Sequence, residues 1–203
     1  MFPFDVILFD VGGVLLTNGW DTRERGEVLE RFHLDCAAFE SRHREPYRAW
    51  ERGAMTATSY LDATVFYEPR SFSREEFFAA ICGQSKLLPQ GALGTLRELA
   101  ASNQYLLGAL NNEARETNEY RFTTFGLRNC FRVALTSCYL GLRKPDAAIY
   151  ARALEILGRP AERILFIDDR EENTTAARQA GMRAIQFRGD DALRYELKGL
   201  GVL

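Results

Sequence analysis

Residues 6–9, "VILF", form an unbroken apolar run that stops at Asp10. A short run without polar alternation suits a strand covered on both faces, as in a parallel sheet. Between about 20 and 88 the pattern changes. Phe32, Phe39, Tyr47, Trp50, Phe66, Phe77 and Phe78 are spaced among Arg and Glu, which predicts several amphipathic helices and no strong strand. "ERGAMT" (51–56) predicts a helix end at Gly53 and a restart capped by Thr56 or Thr58. "SREE" (73–76) has the form of a capping box opening another helix.

After "LLPQG" (87–91) the apolar runs and the helical patterns alternate. The pattern predicts helices over 92–101 and 114–125, a helix over 146–157 opened by Pro145, and a helix over 173–180. Strands are predicted over 105–110, 133–135, 163–167 and 183–187. Such alternation means βαβ units, hence an α/β fold with a doubly wound parallel sheet. The first strand is cut off from the rest by the helical stretch. The expected organisation is therefore an α/β core of 1–17 and 89–203 carrying a helical subdomain of 18–88.

Composition alters this picture little. The 203 residues include 26 basic and 28 acidic ones, a net charge of −2, with no basic stripe to suggest nucleic acid. Cys36, Cys82, Cys130 and Cys138 lack CxxC spacing, so reduced thiols are expected rather than a zinc site or disulfide framework. The N-terminal "MFPFDVILFD" has no basic leader and its apolar run is broken by Asp5, so neither a signal peptide nor a membrane span is expected. The chain reads as a soluble cytoplasmic protein.

Candidate chemistry gathers at the strand ends, where open parallel sheets bind their ligands. The first strand ends in Asp10, the second in Asn111 and Asn112, and the fourth in Asp168 and Asp169. The third leads to the loop "GLRKPD", with Lys144 just ahead of a helix. Pro suits a first helical position, which would hold Lys144 at the loop immediately before it. Carboxylates at ~4 Å in an effective dielectric of ~20 repel by about 4 kcal/mol a pair. Lys144 can offset part of that. A divalent cation with oxygen ligands, best Mg2+, would offset the rest, and such an ion is commonly shared with a phosphate. A carboxylate nucleophile, Mg2+, a lysine and a helix N-terminus suit phosphoryl transfer.

"FDVGGVL", "LGALNNE", "RKPDAAIY" and "FIDDREEN" resemble, in order and spacing, the four motifs of haloacid dehalogenase-like (HAD) hydrolases. The helical stretch with its "WERG" (50–53) resembles that family's small cap over a Rossmann-like core. The resemblance implies a role for each matching residue. Asp10 would be the nucleophile, forming an aspartyl-phosphate, and also a metal ligand. Gly12 would offer its backbone carbonyl to Mg2+. Asp169 would bind the metal directly, with Asp168 behind it or bridged by water. Asn111 and Asn112, with nearby backbone amides, would hold the phosphate. Lys144 would neutralise both nucleophile and transferring group, and Asn173 would orient the last loop. The substrate implied is a small phosphorylated molecule, of sugar phosphate or nucleotide type.

Two positions depart from the family pattern. Gly12 stands where its phosphatases carry a second aspartate, an acid–base group worth roughly 10²–10⁴ in rate. Asn111 replaces a Ser or Thr hydroxyl, although an amide can still donate to phosphate. Three readings follow: a Mg2+-dependent phosphatase with its proton carrier elsewhere, a metal-free 2-haloacid dehalogenase-like hydrolase, or a catalytically silent binding protein. In the second, Arg42, Arg44 or Arg48 could hold halide or carboxylate, but the Asp168–Asp169 pair would leave excess charge without a metal. Gly12→Asp is expected to raise turnover on poor leaving groups. His33 and His43 read as solvated or core-edge residues, the aromatics of 18–88 as a small core, and Trp20 as a candidate for the entrance.

Overall fold

The computed structural model describes residues 3–203, so the first two residues of the N-terminal stretch lie outside it. Five parallel strands form one sheet: β1 (Val6–Phe9), β2 (Leu106–Ala109), β3 (Val133–Ala134), β4 (Ile164–Asp168) and β5 (Arg183–Gln186). Their spatial order is β3-β2-β1-β4-β5. The chain winds outward from β1 through β2 to β3, then crosses back to β4. The crevice between the C-terminal ends of β1 and β4 is thus a topological switch point, the place where open α/β sheets bind ligands. Phe9 pairs with both Ala109 and Ile167, so Asp10, Leu110 and Asp168 are the next residues at one level.

β1 is buried throughout because both sheet faces are covered. Ile7 and Phe9 join one core with α5 (Leu93–Ser102), α6 (Arg115–Thr124) and α10 (Asp190–Gly199). Val6 and Leu8 join the other, under α8 (Ala147–Leu157) and α9 (Glu171–Gln179). The alternation along the strand sends successive side chains to opposite faces. The short helix α7 (Ser137–Leu140) and the C-terminal α10 were not expected from the sequence pattern.

Between β1 and α5 lie four helices: α1 (Thr22–Arg31), α2 (Cys36–Glu51), α3 (Ala57–Thr64) and α4 (Arg74–Gly83). They close around a core of their own, built on Trp20, Phe39, Trp50, Tyr60 and Phe77. The local signals act as read: Thr56 caps α3, and Ser73 and Glu76 form the reciprocal capping box of α4. Pro145 behaves otherwise. It does not open α8; Asp146 is that helix's N-cap, and the Lys144–Pro145 peptide is cis. Cys82, Cys130 and Cys138 are buried, Cys36 is exposed, and all four are free. No helix among the described residues is long and apolar enough to cross a membrane.

Candidate active site

Strand geometry fixes the centre. Asp10, Asp168 and Asp169 each place a carboxylate oxygen within 4.8 Å of the others. Lys144 lies among them, almost fully buried, with Nζ 2.6 Å from Asp168 Oδ2 and 3.1 Å from Asp10 Oδ1. Burial alone would push this lysine down, but Asp10 and Asp168 outweigh it and hold it above its ordinary range. Asp10 goes the other way. Burial raises it, Lys144 pulls it down, Asp168 and Asp169 push it up again, and it reaches about 7.

The two adjacent aspartates have different occupations. Asp168 is saturated: both oxygens accept from Asn173 Nδ2 at 3.0 Å, Oδ1 from the Arg170 amide at 2.8 Å, and Oδ2 from Lys144. Asp169 Oδ1 is buried without a hydrogen-bond partner among the described residues. Asp169 is also raised, first by burial and then by Asp168. A buried orphan carboxylate oxygen beside Asp10 is the donor set a hard divalent cation needs. The residues therefore fit Mg2+, with Asp10 and Asp169 as side-chain ligands, Asp168 holding the lysine behind them, and Gly12 on the cavity wall.

Asn111 and Asn112 part company. Asn111 is buried at 1% exposure, donating to Asn118 Oδ1 at 3.1 Å and accepting from Thr136 Oγ1 at 2.8 Å. One N–H and the oxygen of its amide are thus engaged inside the protein. Asn112 reaches the cavity and clasps Lys144: its Nδ2 donates to the Lys144 carbonyl at 2.9 Å, and its Oδ1 accepts from the Lys144 amide at 2.8 Å. It positions the lysine.

A cavity of about 390 Å3 extends from this centre to the helices. α2 contributes His43, Tyr47 and Glu51, four residues apart and hence on one helix face. Glu51 is paired with Arg143 at 2.7 Å; burial raises it, and Arg143 opposes the rise. The Glu51 carbonyl accepts from Ser137 Oγ at 2.7 Å, and Glu116 accepts from Trp50 Nε1 at 2.8 Å and the Ala57 amide at 2.9 Å. These bonds pin the junction of α2 and α3 to the sheet layer. Trp20 does line the cavity, as the sequence suggested. Of the two alternatives for His43, solvated or core-edge, the structure shows the second: it is buried at the cavity wall. Arg42, Arg44 and Arg48, offered as anion holders for a dehalogenase, do not line the cavity: Arg42 lies over the Tyr67 ring at 4.1 Å, Arg44 is exposed, and Arg48 pairs with Glu45 at 3.3 Å. Arg25, Arg121, Arg143 and Arg170 line the cavity instead.

The space beside Gly12 is not empty. A Cβ there would lie 3.0 Å from Asn18 Oδ1 and 3.7 Å from Arg121 Nη1. Arg121 is buried, pairs with Glu113 Oε2 at 2.6 Å, bonds Ser85 Oγ at 3.2 Å, and donates to the Thr17 carbonyl. Nothing in the local sequence around position 121 signals this. The α2 face was within reach of sequence reasoning, since 43, 47 and 51 share helical spacing.

A family model described as haloacid dehalogenase-like hydrolase matches residues 4–181. Flavin mononucleotide hydrolase 1 of Arabidopsis thaliana is 38% identical over 191 residues, 86% of this chain and 74% of that protein. Bifunctional epoxide hydrolase 2 of Sus scrofa is 27% identical over 94% of this chain, which spans 38% of that protein. The drimenol cyclase of Aspergillus calidoustus is 36% identical over 64 residues, 32% of this chain and 12% of that protein. The chain thus spans less than half the length of two of these three relatives. Among solved structures, a HAD family enzyme of Bacteroides thetaiotaomicron superposes with a TM-score of 0.82 at 20% identity, covering 96% of this chain and 98% of that one. An L-2-haloacid dehalogenase superposes less closely, at 0.62 and 20% identity over 89% and 83%. Both likenesses are of fold.

Proposed function

This chain belongs to the haloacid dehalogenase-like hydrolases, and on that premise we propose that it is a Mg2+-dependent phosphatase of a small phosphate ester, with Asp10 as nucleophile. The observation that carries the reading is the buried, unpartnered Asp169 Oδ1 beside Asp10. Three carboxylates meet a single ammonium there. A metal-free dehalogenase would have to keep that excess negative charge in a buried site, at a cost of several kcal/mol. The relative named a flavin mononucleotide hydrolase supports a phosphate monoester as the substrate class. A structural relative from Bacteroides thetaiotaomicron, complexed with magnesium and inorganic phosphate, supports the same pairing of ligands (TM-score 0.76, 21% identity, 92% and 95% covered).

Bound by Asp10, Asp169 and the Gly12 carbonyl, Mg2+ would screen phosphate charge as the ester enters. The chain's own residues do the rest. An Asp10 oxygen attacks phosphorus, a P–O bond forms to Asp10, and the bond to the alcohol oxygen breaks, the departing oxygen taking its proton from solvent water. Water then cleaves the aspartyl-phosphate, releasing phosphate and restoring Asp10. Lys144, fixed by Asn112 and Asp168, opposes the rise that burial imposes on Asp10 and faces the charge gathering on the transferring group.

The test is phosphate release from a panel of esters with Mg2+ and with chelator, for wild type and Asp10→Asn. Metal-dependent release lost in Asp10→Asn is the expected result. Halide release from 2-haloacids in chelator would overturn the reading in favour of the dehalogenase.

A further inference from the structure

His43 occupies the middle of α2, enclosed by its own helix. Phe39, one turn before it, and Tyr47, one turn after, stack on the imidazole at 5.3 Å and 4.7 Å between centroids, with interplanar angles of 28° and 24°. Its Nδ1 lies 2.7 Å from the Tyr60 hydroxyl. That hydroxyl is also 2.8 Å from Trp20 Nε1.

These contacts fix the protons. An indole N–H can only donate, so the Tyr60 oxygen accepts from Trp20. Tyr60 is fully buried, and its own hydroxyl proton needs an acceptor. His43 Nδ1 is the acceptor in reach. It must therefore be the unprotonated nitrogen, and the ring proton sits on Nε2. His43 lines the cavity, and with Nδ1 taken by Tyr60 its remaining polar atom is Nε2. Nε2–H is thus the imidazole's uncommitted donor, in a residue that lines the same cavity as Asp10 and Lys144.

Charging the ring would put a second proton on Nδ1 and leave the Tyr60 hydroxyl proton without an acceptor. The surroundings agree. Burial lowers His43, Arg25 lowers it further, Glu40 only partly opposes them, and it settles at about 4. Tyr47 and Tyr60, the other titratable groups against the ring, are held above their ordinary range by burial and stay neutral.

We propose that His43 Nε2–H is a specificity-determining donor for a hydrogen-bond acceptor on the organic part of the ester: a carbonyl or hydroxyl oxygen, or a ring nitrogen. The phosphate is left to the centre at the sheet. The helical side, with Trp20 and Tyr47 beside His43, reads the alcohol. This rests on the phosphatase reading for the substrate, but the tautomer does not.

Two measurements test it. In ¹⁵N-histidine-labelled protein only His33 and His43 contribute, and His33→Gln assigns them. His43 should show a protonated Nε2 and a bare Nδ1 from pH 8 to about 5. In Tyr60→Phe the preference should be lost. An Nδ1–H tautomer, or an imidazolium appearing near the ordinary histidine value, overturns the proposal.

The second measurement compares flavin mononucleotide, rich in acceptors, with phenyl phosphate, whose organic part has none. In His43→Phe the ratio of kcat/KM for the two esters should fall roughly 10- to 100-fold, the usual consequence of leaving a buried acceptor without its donor. His43→Gln, which keeps an N–H, should recover part of the ratio, and far-UV spectra of both variants check folding. Equal losses on both esters would sink the recognition role while leaving the phosphatase reading intact. Release by wild type from other esters of the panel but not from flavin mononucleotide would overturn the recognition role alone, and release from none of the panel would overturn the phosphatase reading.

Discussion

Gly13 and Asp169 interlock: a Cβ on Gly13 would lie 2.5 Å from the Asp169 carboxyl carbon. Gly13 also has φ +71, a left-handed conformation. The missing side chain is what lets the loop after β1 close over the last carboxylate. Gly13→Ala therefore meets both steric conflict and backbone strain of about 1–2 kcal/mol. The expected variant folds but binds Mg2+ at least tenfold more weakly, because Asp169 is displaced. Calorimetric titration of Mg2+ reads this directly, and wild-type affinity in the variant would refute it.

Among the described residues, Lys144 alone sets an ammonium between Asp10 and Asp168, at 3.1 and 2.6 Å. Lys144→Met should abolish turnover and destabilise the protein by about 3–5 kcal/mol, since it leaves buried charge unpaired. Adding Asp168→Asn should recover part of the stability and none of the activity. Denaturant midpoints for the single and double variants check this, and additive losses would rule out the coupling.

Gly12→Asp acquires a different expectation once Arg121 is seen. The new carboxylate would sit beside a guanidinium and stay ionised, after a small shift of Asn18. It would serve as a base for water in the second step, and poorly as an acid in the first. Turnover should rise where breakdown of the aspartyl-phosphate limits, as with p-nitrophenyl phosphate, and not with alkyl phosphates. Burst kinetics distinguish the steps. A gain confined to alkyl phosphates would restore the simpler account drawn from sequence.

The depressed His43 also links stability to pH. Its folded value, about 4, lies below the ordinary 6.5. Between those values the unfolded chain binds the proton and the folded chain does not. Its contribution is thus fully present above about pH 6.5 and is lost as pH falls toward 4, with a slope of at most about 1.4 kcal/mol per pH unit. Thermal melts of wild type and His43→Gln across pH 4–7 should converge in slope above 6.5 and diverge below it. Parallel curves throughout would contradict the buried neutral imidazole.

The sequence by itself determined the sheet and the carboxylates gathered at its strand ends. An apolar run ending in Asp10, and another ending in Asp168 and Asp169, suffice because a strand fixes its residues by a two-residue period and delivers its last one to a known edge. Helix caps at Thr56 and Ser73 were legible for the same reason: their bonds are local. Other features depended on contacts between residues far apart in the chain. Asn111 and Asn112 are neighbours of one type, yet Thr136 and Asn118 draw one inward while the Lys144 backbone holds the other at the cavity. Arg121 reaches the space beside Gly12 from a helix more than a hundred residues away, steadied there by Glu113. Helical spacing can put His43, Tyr47 and Glu51 on one face, but only the docking of α2 against Tyr60 and Ser137 turns that face toward Asp10. Local periodicity says which side chains travel together; the packing of distant segments decides what they meet.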